Sequence, residues 1–187
     1  MTLERQRLVE GFVCLIAFGA CIPAANWMIG HLGTFCVPDG PCVIPVAPGI
    51  TAPSGVLMVG LALVLRDLVQ RRLGAKFALI AIAVGTLISA ALAPPALVMA
   101  SAAAFLLSEL ADFAIYTPLQ RRRLVLAVFA SSATGLVVDS IVFLQLAFGS
   151  LDYLGGQIIG KAWMVLIALP LIHLLRRRDE RIGLQPA

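Results

Sequence analysis

The sequence predicts an all-α polytopic membrane protein, a six-transmembrane-helix bundle with both termini cytoplasmic. Three observations carry that expectation. Of the 187 residues, 60% are hydrophobic and 13% are charged, which is far more apolar than a soluble domain. Apolar stretches of about the length needed to cross a bilayer recur along the chain. Finally, the Lys and Arg residues gather in clusters that a single orientation puts on one side.

In order, the expected crossings are 11–29, 53–66, 77–94, 96–117, 124–147 and 157–175. The first runs on through Asn26 and Trp27 with no small-x-small site and no polar mature chain behind it, so it is expected to be retained rather than cleaved. The second is short from Pro53 to its end at Arg66. Residues 46–50 extend it only through prolines, which predicts a broken or tilted helix. Helices 3 and 4 are rich in small residues, including Ala78, Ala81, Gly85, Ser89 and the alanines of 100–104, which permit close helix packing. Internal repeats and a separate soluble domain are not expected, and residues 1–187 read as a single transporter domain.

Arg5 and Arg7 precede helix 1, and Arg66, Arg71, Arg72 and Lys76 are read between helices 2 and 3. Arg121, Arg122 and Arg123 fall between 4 and 5, and Arg176, Arg177 and Arg178 follow helix 6. All face the cytoplasm if the termini do, while the connections near 30–52, 94–95 and 148–156 lack Lys and Arg. The net charge of +4 therefore sets topology and does not imply a nucleic-acid partner. The exofacial loop, about 30–52, carries Pro38, Pro41, Pro45 and Pro48. Its Cys36 and Cys42 face an oxidising space and are candidates for a disulfide, whereas Cys14 and Cys21 read as small apolar packers. Trp27 and Tyr153 suit the outer interfacial belt, and His31 reads as a loop residue.

Charged side chains inside the spans are the candidate functional groups. On helix 4, Glu109, Asp112 and Tyr116 follow an i, i+3, i+7 pattern, and Ser101, Phe105, Ser108 and Asp112 continue one stripe toward the interior. The acids either line a site or pair with cytoplasmic Arg and cap backbone. Helix 5 adds Asp139 and Gln145, and helix 6 adds Gln157 and Lys161. Counting depth from the outer ends puts Asp139 and Lys161 within reach of one another. That pair either holds the bundle together or closes the outer half of a polar cavity. Carboxylates accept from ring or exocyclic NH groups, Asn26, Gln145 and Gln157 donate and accept, and Phe105, Phe143 or Tyr116 can cover an aromatic face. The inventory suits a small planar nucleobase-like substrate. No Walker A, His-Glu-x-x-His, Gly-x-Ser-x-Gly or Cys-x-x-Cys-His sequence is present, so neither an enzyme, a resident metal nor another cofactor is expected.

Several motifs resemble the bacterial vitamin-uptake-transporter-like family, also called the queuosine precursor transporter family. They are Leu65-Arg66-Asp67 with Gly74, Ser108-Glu109-Leu110-Ala111-Asp112-Phe113 with Tyr116-Thr117-Pro118-Leu119, Asp139-Ser140 with Phe143, and Gly156-Gln157 with Gly160-Lys161. The resemblance implies a multi-pass protein of the bacterial inner membrane that imports deazaguanine precursors of queuosine, such as cyano-deazaguanine. It makes Glu109, Asp112, Asp139, Gln157 and Lys161 the central site, with Arg66 and Asp67 as a cytoplasmic gate. One departure is Gln70-Arg71-Arg72, where the family commonly has an acid after Asp67, so cytoplasmic closure is expected to use other ion pairs. Two alternatives to a secondary transporter are the substrate-binding membrane subunit of a modular ATP-driven importer and a non-transporting structural or assembly subunit. Besides the bilayer and the substrate, a second copy of the chain and energy-coupling ATPase subunits stay open as partners.

Overall fold

Long apolar helices account for most of the chain. The computed structural model describes residues 2–36, 41–93 and 95–187, so the loop prolines Pro38 and Pro94 lie outside the described residues. Among those residues the order is α1 (Leu3–His31), β1 (Phe35–Cys36), β2 (Cys42–Ala47), β3 (Ile50–Pro53), α2 (Val56–Leu73), α3 (Ala75–Leu92), α4 (Val98–Leu119), α5 (Leu124–Phe148) and α6 (Leu154–Ile182), with a short 3-10 turn at Pro95–Leu97. Five of the long helices, all but α2, are long and apolar enough to cross a membrane. Many of their large apolar side chains point outward, among them Ile16, Leu87, Met99 and Leu171, as lipid-facing surfaces do.

The exception explains the architecture. α2 packs against each of the other five helices, so it is surrounded by protein and needs no lipid-facing apolar surface. Its buried residues include Arg66, Asp67, Gln70, Arg71 and Arg72. The expected second crossing, ending at Arg66, is therefore corrected. Hydropathy stops at the first charge, but the helix continues about two turns beyond it to Leu73, and Gly74 alone separates it from α3. Of the basic residues assigned to an interhelix loop, Arg66, Arg71 and Arg72 are part of the central helix and Lys76 lies in the first turn of α3. Its N-terminal side is corrected too, because residues 46–50 do not extend it and no proline interrupts it.

Those prolines belong instead to a small antiparallel sheet of order β1-β2-β3. Phe35 pairs with Val43, and Ile44 pairs with Ala52. Between β2 and β3 the chain turns at Gly49, whose φ of 71° is left-handed backbone that favours glycine. Much of the expected exofacial loop is thus ordered. Cys36 and Cys42 sit opposite one another on β1 and β2 and are joined as a disulfide. The sheet packs on α1 and α6, and its Val46 and Ala52 form an apolar cluster with Val56 at the start of α2. Trp163 Nε1 donates to the Val46 carbonyl at 2.8 Å, and Ser54 Oγ to the Met28 carbonyl at 2.7 Å.

At the opposite, basic end an ion network joins three helices. Arg72 donates to both oxygens of Asp179, each at 2.9 Å, and lies 2.9 Å from Glu10. Arg71 also reaches Asp179, at 3.2 Å, and Arg178 bonds Glu10 at 2.8 Å. The network ties α1, α2 and α6 together where the sequence supplied Arg but gave Asp179 no role.

Candidate functional site

Apart from the network at the basic end, two groups of buried charged side chains lie within the helices among the described residues. In the first, Arg66 on α2 is fully buried, and its guanidinium faces acids from two helices. Its Nε donates to Glu109 Oε2 at 3.0 Å, its Nη2 donates to Asp112 Oδ1, and its Nη1 donates to Gln70 Oε1 at 3.0 Å. Asp67 Oδ1 lies 3.0 Å from Nη1, but the geometry is not that of a hydrogen bond, and this oxygen has no hydrogen-bond partner. The other Asp67 oxygen accepts from Ser131 Oγ at 2.8 Å. The rings of Phe113 and Tyr116 lie 5.9 Å and 5.7 Å from the guanidinium carbon.

Burial here is nearly complete. Glu109 is 2% exposed, and Asp67, Asp112 and Tyr116 are 0% exposed. Three carboxylates thus share one guanidinium, and its donors do not satisfy all their oxygens. Besides Asp67 Oδ1, Asp112 Oδ2 and the Tyr116 hydroxyl have no hydrogen-bond partner. A buried acceptor left unmatched is costly, so the group has unused capacity for a donor. Gly135 on α5 permits this crowding. A Cβ there would meet Leu63 Cδ2 at 2.8 Å and Asp112 Cβ at 3.2 Å, so only glycine lets α5 approach this closely.

The second group centres on Lys161. Its Nζ donates to Asp139 Oδ2 at 2.6 Å, to Gln157 Oε1 at 2.6 Å and to Ser140 Oγ at 2.8 Å. Three acceptors match the three donors of an ammonium. Gly60 on α2 faces Lys161, and a Cβ at that position would overlap the Lys161 carbonyl. That close approach seats α6 directly against the central helix. The sheet covers the N-terminal part of α6, with Val46 against Gly160 and the Thr51 carbonyl against Gly156, and Val56 of α2 also lies against Gly160.

The structure thus joins Glu109 and Asp112 through Arg66, and joins Asp139, Gln157 and Lys161 to one another. It places Arg66 and Asp67, expected as a cytoplasmic gate, beside the acids of α4, because α2 carries them inside the bundle. The α4 stripe is also corrected. Its buried line is Ala100, Ala104, Ser108, Glu109, Asp112 and Tyr116, while Ser101 and Phe105 are half-buried. Phe105 packs at 6.0 Å on Phe18 of α1, Phe143 lies edge-on to Phe148, and Gln145 is exposed. Asn26 donates to the Ile22 carbonyl of its own helix at 3.0 Å. None of these four bonds to the charged groups among the described residues. His31 lies at the end of α1, stacked on Trp27.

Sequence reasoning gave Gln70 and Thr117 no part in the site. Gln70 Nε2 donates to Thr117 Oγ1 at 2.9 Å, holding the amide oxygen toward Arg66. The signal was the i, i+4 spacing of Arg66 and Gln70, visible only once helix 2 is read past its first charge. The two groups bond internally. Among the described residues no group of three His, Cys, Asp or Glu is placed to hold a metal ion.

Comparison with known proteins bears on the half of the bundle that supplies most of these acids. Residues 89–175 match the family described as "Putative vitamin uptake transporter". The matched stretch covers a little under half of the chain, from the end of α3 through α4 and α5 into α6. It contains Glu109, Asp112, Tyr116, Asp139, Gln157 and Lys161, but not Arg66 or Asp67. Membrane transport is the general function that similarity to the vitamin uptake transporter family supports, and it points to no catalytic chemistry. Neither a curated protein nor a solved structure matches the chain.

Proposed function

We propose that the chain is a bacterial inner-membrane importer of small planar nitrogenous bases, of which the deazaguanine precursors of queuosine, such as cyano-deazaguanine, are the cargo. In this reading it is a secondary transporter with both termini cytoplasmic and six crossings. The observation that carries the reading is the Arg66 group: three buried carboxylates around one guanidinium, with Asp67 Oδ1, Asp112 Oδ2 and the Tyr116 hydroxyl unmatched. Ring and exocyclic NH groups of a planar base are the donors those oxygens lack. Lys161 and Gln157 supply donors for a carbonyl or ring nitrogen on the opposite edge, and the Tyr116 and Phe113 rings offer faces for stacking.

The side-chain arrangement is that of a closed state, in which protein groups occupy one another's hydrogen-bonding positions. Cargo then competes for bonds that already exist. Opening exchanges Arg66–Glu109 and Lys161–Gln157 contacts for contacts to the base, so little net hydrogen bonding is lost on binding. Asp139 stays with Lys161 and spares it the cost of an unpaired buried ammonium.

Uptake by the purified full chain in liposomes, with labelled cyano-deazaguanine and imposed proton or sodium gradients, tests the reading. Saturable accumulation without another protein is expected. Binding without accumulation, cured by added ATPase subunits, supports the modular ATP-driven alternative. Neither binding nor uptake of any queuosine precursor by folded protein rejects the proposal and favours a structural subunit.

A further inference from the structure

The basic end carries a feature that the transport reading does not use. The turn between α4 and α5 is tight, with the Arg122 and Arg123 amides both donating to the Leu119 carbonyl at 3.2 Å and 3.0 Å. It presents Arg121, Arg122 and Arg123 as exposed side chains. Arg121 and Arg122 line a cavity of about 110 Å³ together with Arg71, Arg176, Gln120, the carboxylates of Asp179 and Glu180, and the segment after α6. That volume holds a few waters or one phosphate-sized group.

Charge in this cavity is unbalanced. Arg71 is engaged by Asp179 at 3.2 Å and Arg176 by Glu180 at 2.7 Å. Among the described residues neither Arg121 nor Arg122 has an acidic partner. Gln120 is 7% exposed, and its amide oxygen has no hydrogen-bond partner. Two free guanidiniums beside an unmatched acceptor suit an anion that also carries an O–H donor.

A second hollow adjoins the first, because Arg176 lines both. It is an apolar groove of about 440 Å³ along α5 and α6, walled by Val125, Leu126, Phe129 and Leu169 and headed by Arg123 and Arg176. Leu126 and Phe129 are 44% and 46% exposed on membrane-spanning helices. A basic pocket joined to an apolar groove that runs toward the membrane interior has the two chemistries of a phospholipid in their natural order. Basic pockets between membrane helices take anionic headgroups, and a groove of this kind takes an acyl chain.

We infer that this seam binds an acidic phospholipid, its phosphate between Arg121 and Arg122, a headgroup hydroxyl donating to Gln120, and one acyl chain lying on Leu126 and Phe129. The lipid ties the α4–α5 turn to the end of α6.

Native mass spectrometry of the purified full chain, with phosphatidylglycerol or phosphatidylcholine of identical acyl chains, tests the site. Phosphatidylglycerol is expected to be retained in preference to phosphatidylcholine, and inorganic phosphate is expected not to displace it. Arg121→Gln with Arg122→Gln should weaken retention about tenfold, the size of losing a charge-assisted bond. Phe129→Ala should weaken long-chain but not short-chain phosphatidylglycerol. Equal retention of the two lipids by wild type overturns the proposal whatever the variants do. Displacement by inorganic phosphate overturns the lipid assignment in favour of a free anion. Unchanged retention in an arginine variant that melts like wild type also overturns it.

Discussion

Two ion networks in this molecule are built from the same residue types and are balanced in opposite senses. At the basic end, Arg71, Arg72 and Arg178 surround Glu10 and Asp179, and both oxygens of Asp179 are used. In the interior, Arg66 alone faces Asp67, Glu109 and Asp112, and oxygens are left over. The first satisfies its acids and behaves as a clamp between α1, α2 and α6. The second holds a surplus of acceptors among fully buried side chains, which is a poor way to stabilise a bundle and a good way to receive a donor.

Arg66→Met should separate the two networks most sharply. It leaves three buried acids without their cation, and breaking a buried pair costs about 3–5 kcal/mol, comparable with the whole stability of many domains. No monodisperse folded protein should elute from size-exclusion chromatography. Wild-type elution and melting would mean that the acids do not depend on Arg66.

Removing the clamp should cost less. Asp179→Asn keeps an acceptor for Arg72, which also retains Glu10, so a loss of about 1–3 kcal/mol is expected. Thermal unfolding should show a lower midpoint with cargo affinity unchanged. A change in affinity at constant stability would erase the distinction between clamp and site.

The Lys161 group should behave as part of the interior. Lys161→Ala leaves Asp139 unpaired, and Asp139→Asn leaves the ammonium with neutral acceptors only. Both should lose most uptake, with the alanine variant also melting lower. Equal uptake and melting in all three proteins would remove the pair from both roles.

The smallest effect on uptake should come from the sheet. The disulfide encloses a short loop, so Cys36→Ser with Cys42→Ser should cost no more than about 2–3 kcal/mol. An impermeant thiol reagent should label these cysteines in intact cells after reduction. Labelling only in permeabilised cells would reverse the proposed orientation.

Much of this contrast can be read from the sequence. Five apolar runs announce their helices, and the depth count brings Asp139 and Lys161 together because regular helices carry residues a known distance per step. Helix 2 is legible only in part. A hydropathy criterion assumes that a spanning helix meets lipid, and α2 meets protein on every side, so its charges look like a loop. That assumption also hides the centre of the site, since Arg66 is counted with the topology-setting arginines. The sheet escapes notice because its prolines read as loop. Asp179 is passed over for a simpler reason: it follows three arginines at a helix end, where an acid looks solvated.

Equilibrium binding of labelled cyano-deazaguanine to wild type, Glu109→Gln and Asp179→Asn, each shown to be folded, tests the central claim most directly. Affinity should fall about tenfold or more for Glu109→Gln, the loss of one charged acceptor, and stay at the wild-type value for Asp179→Asn. Equal affinities for wild type and Glu109→Gln, or a loss confined to Asp179→Asn, would contradict the assignment of cargo recognition to the interior network.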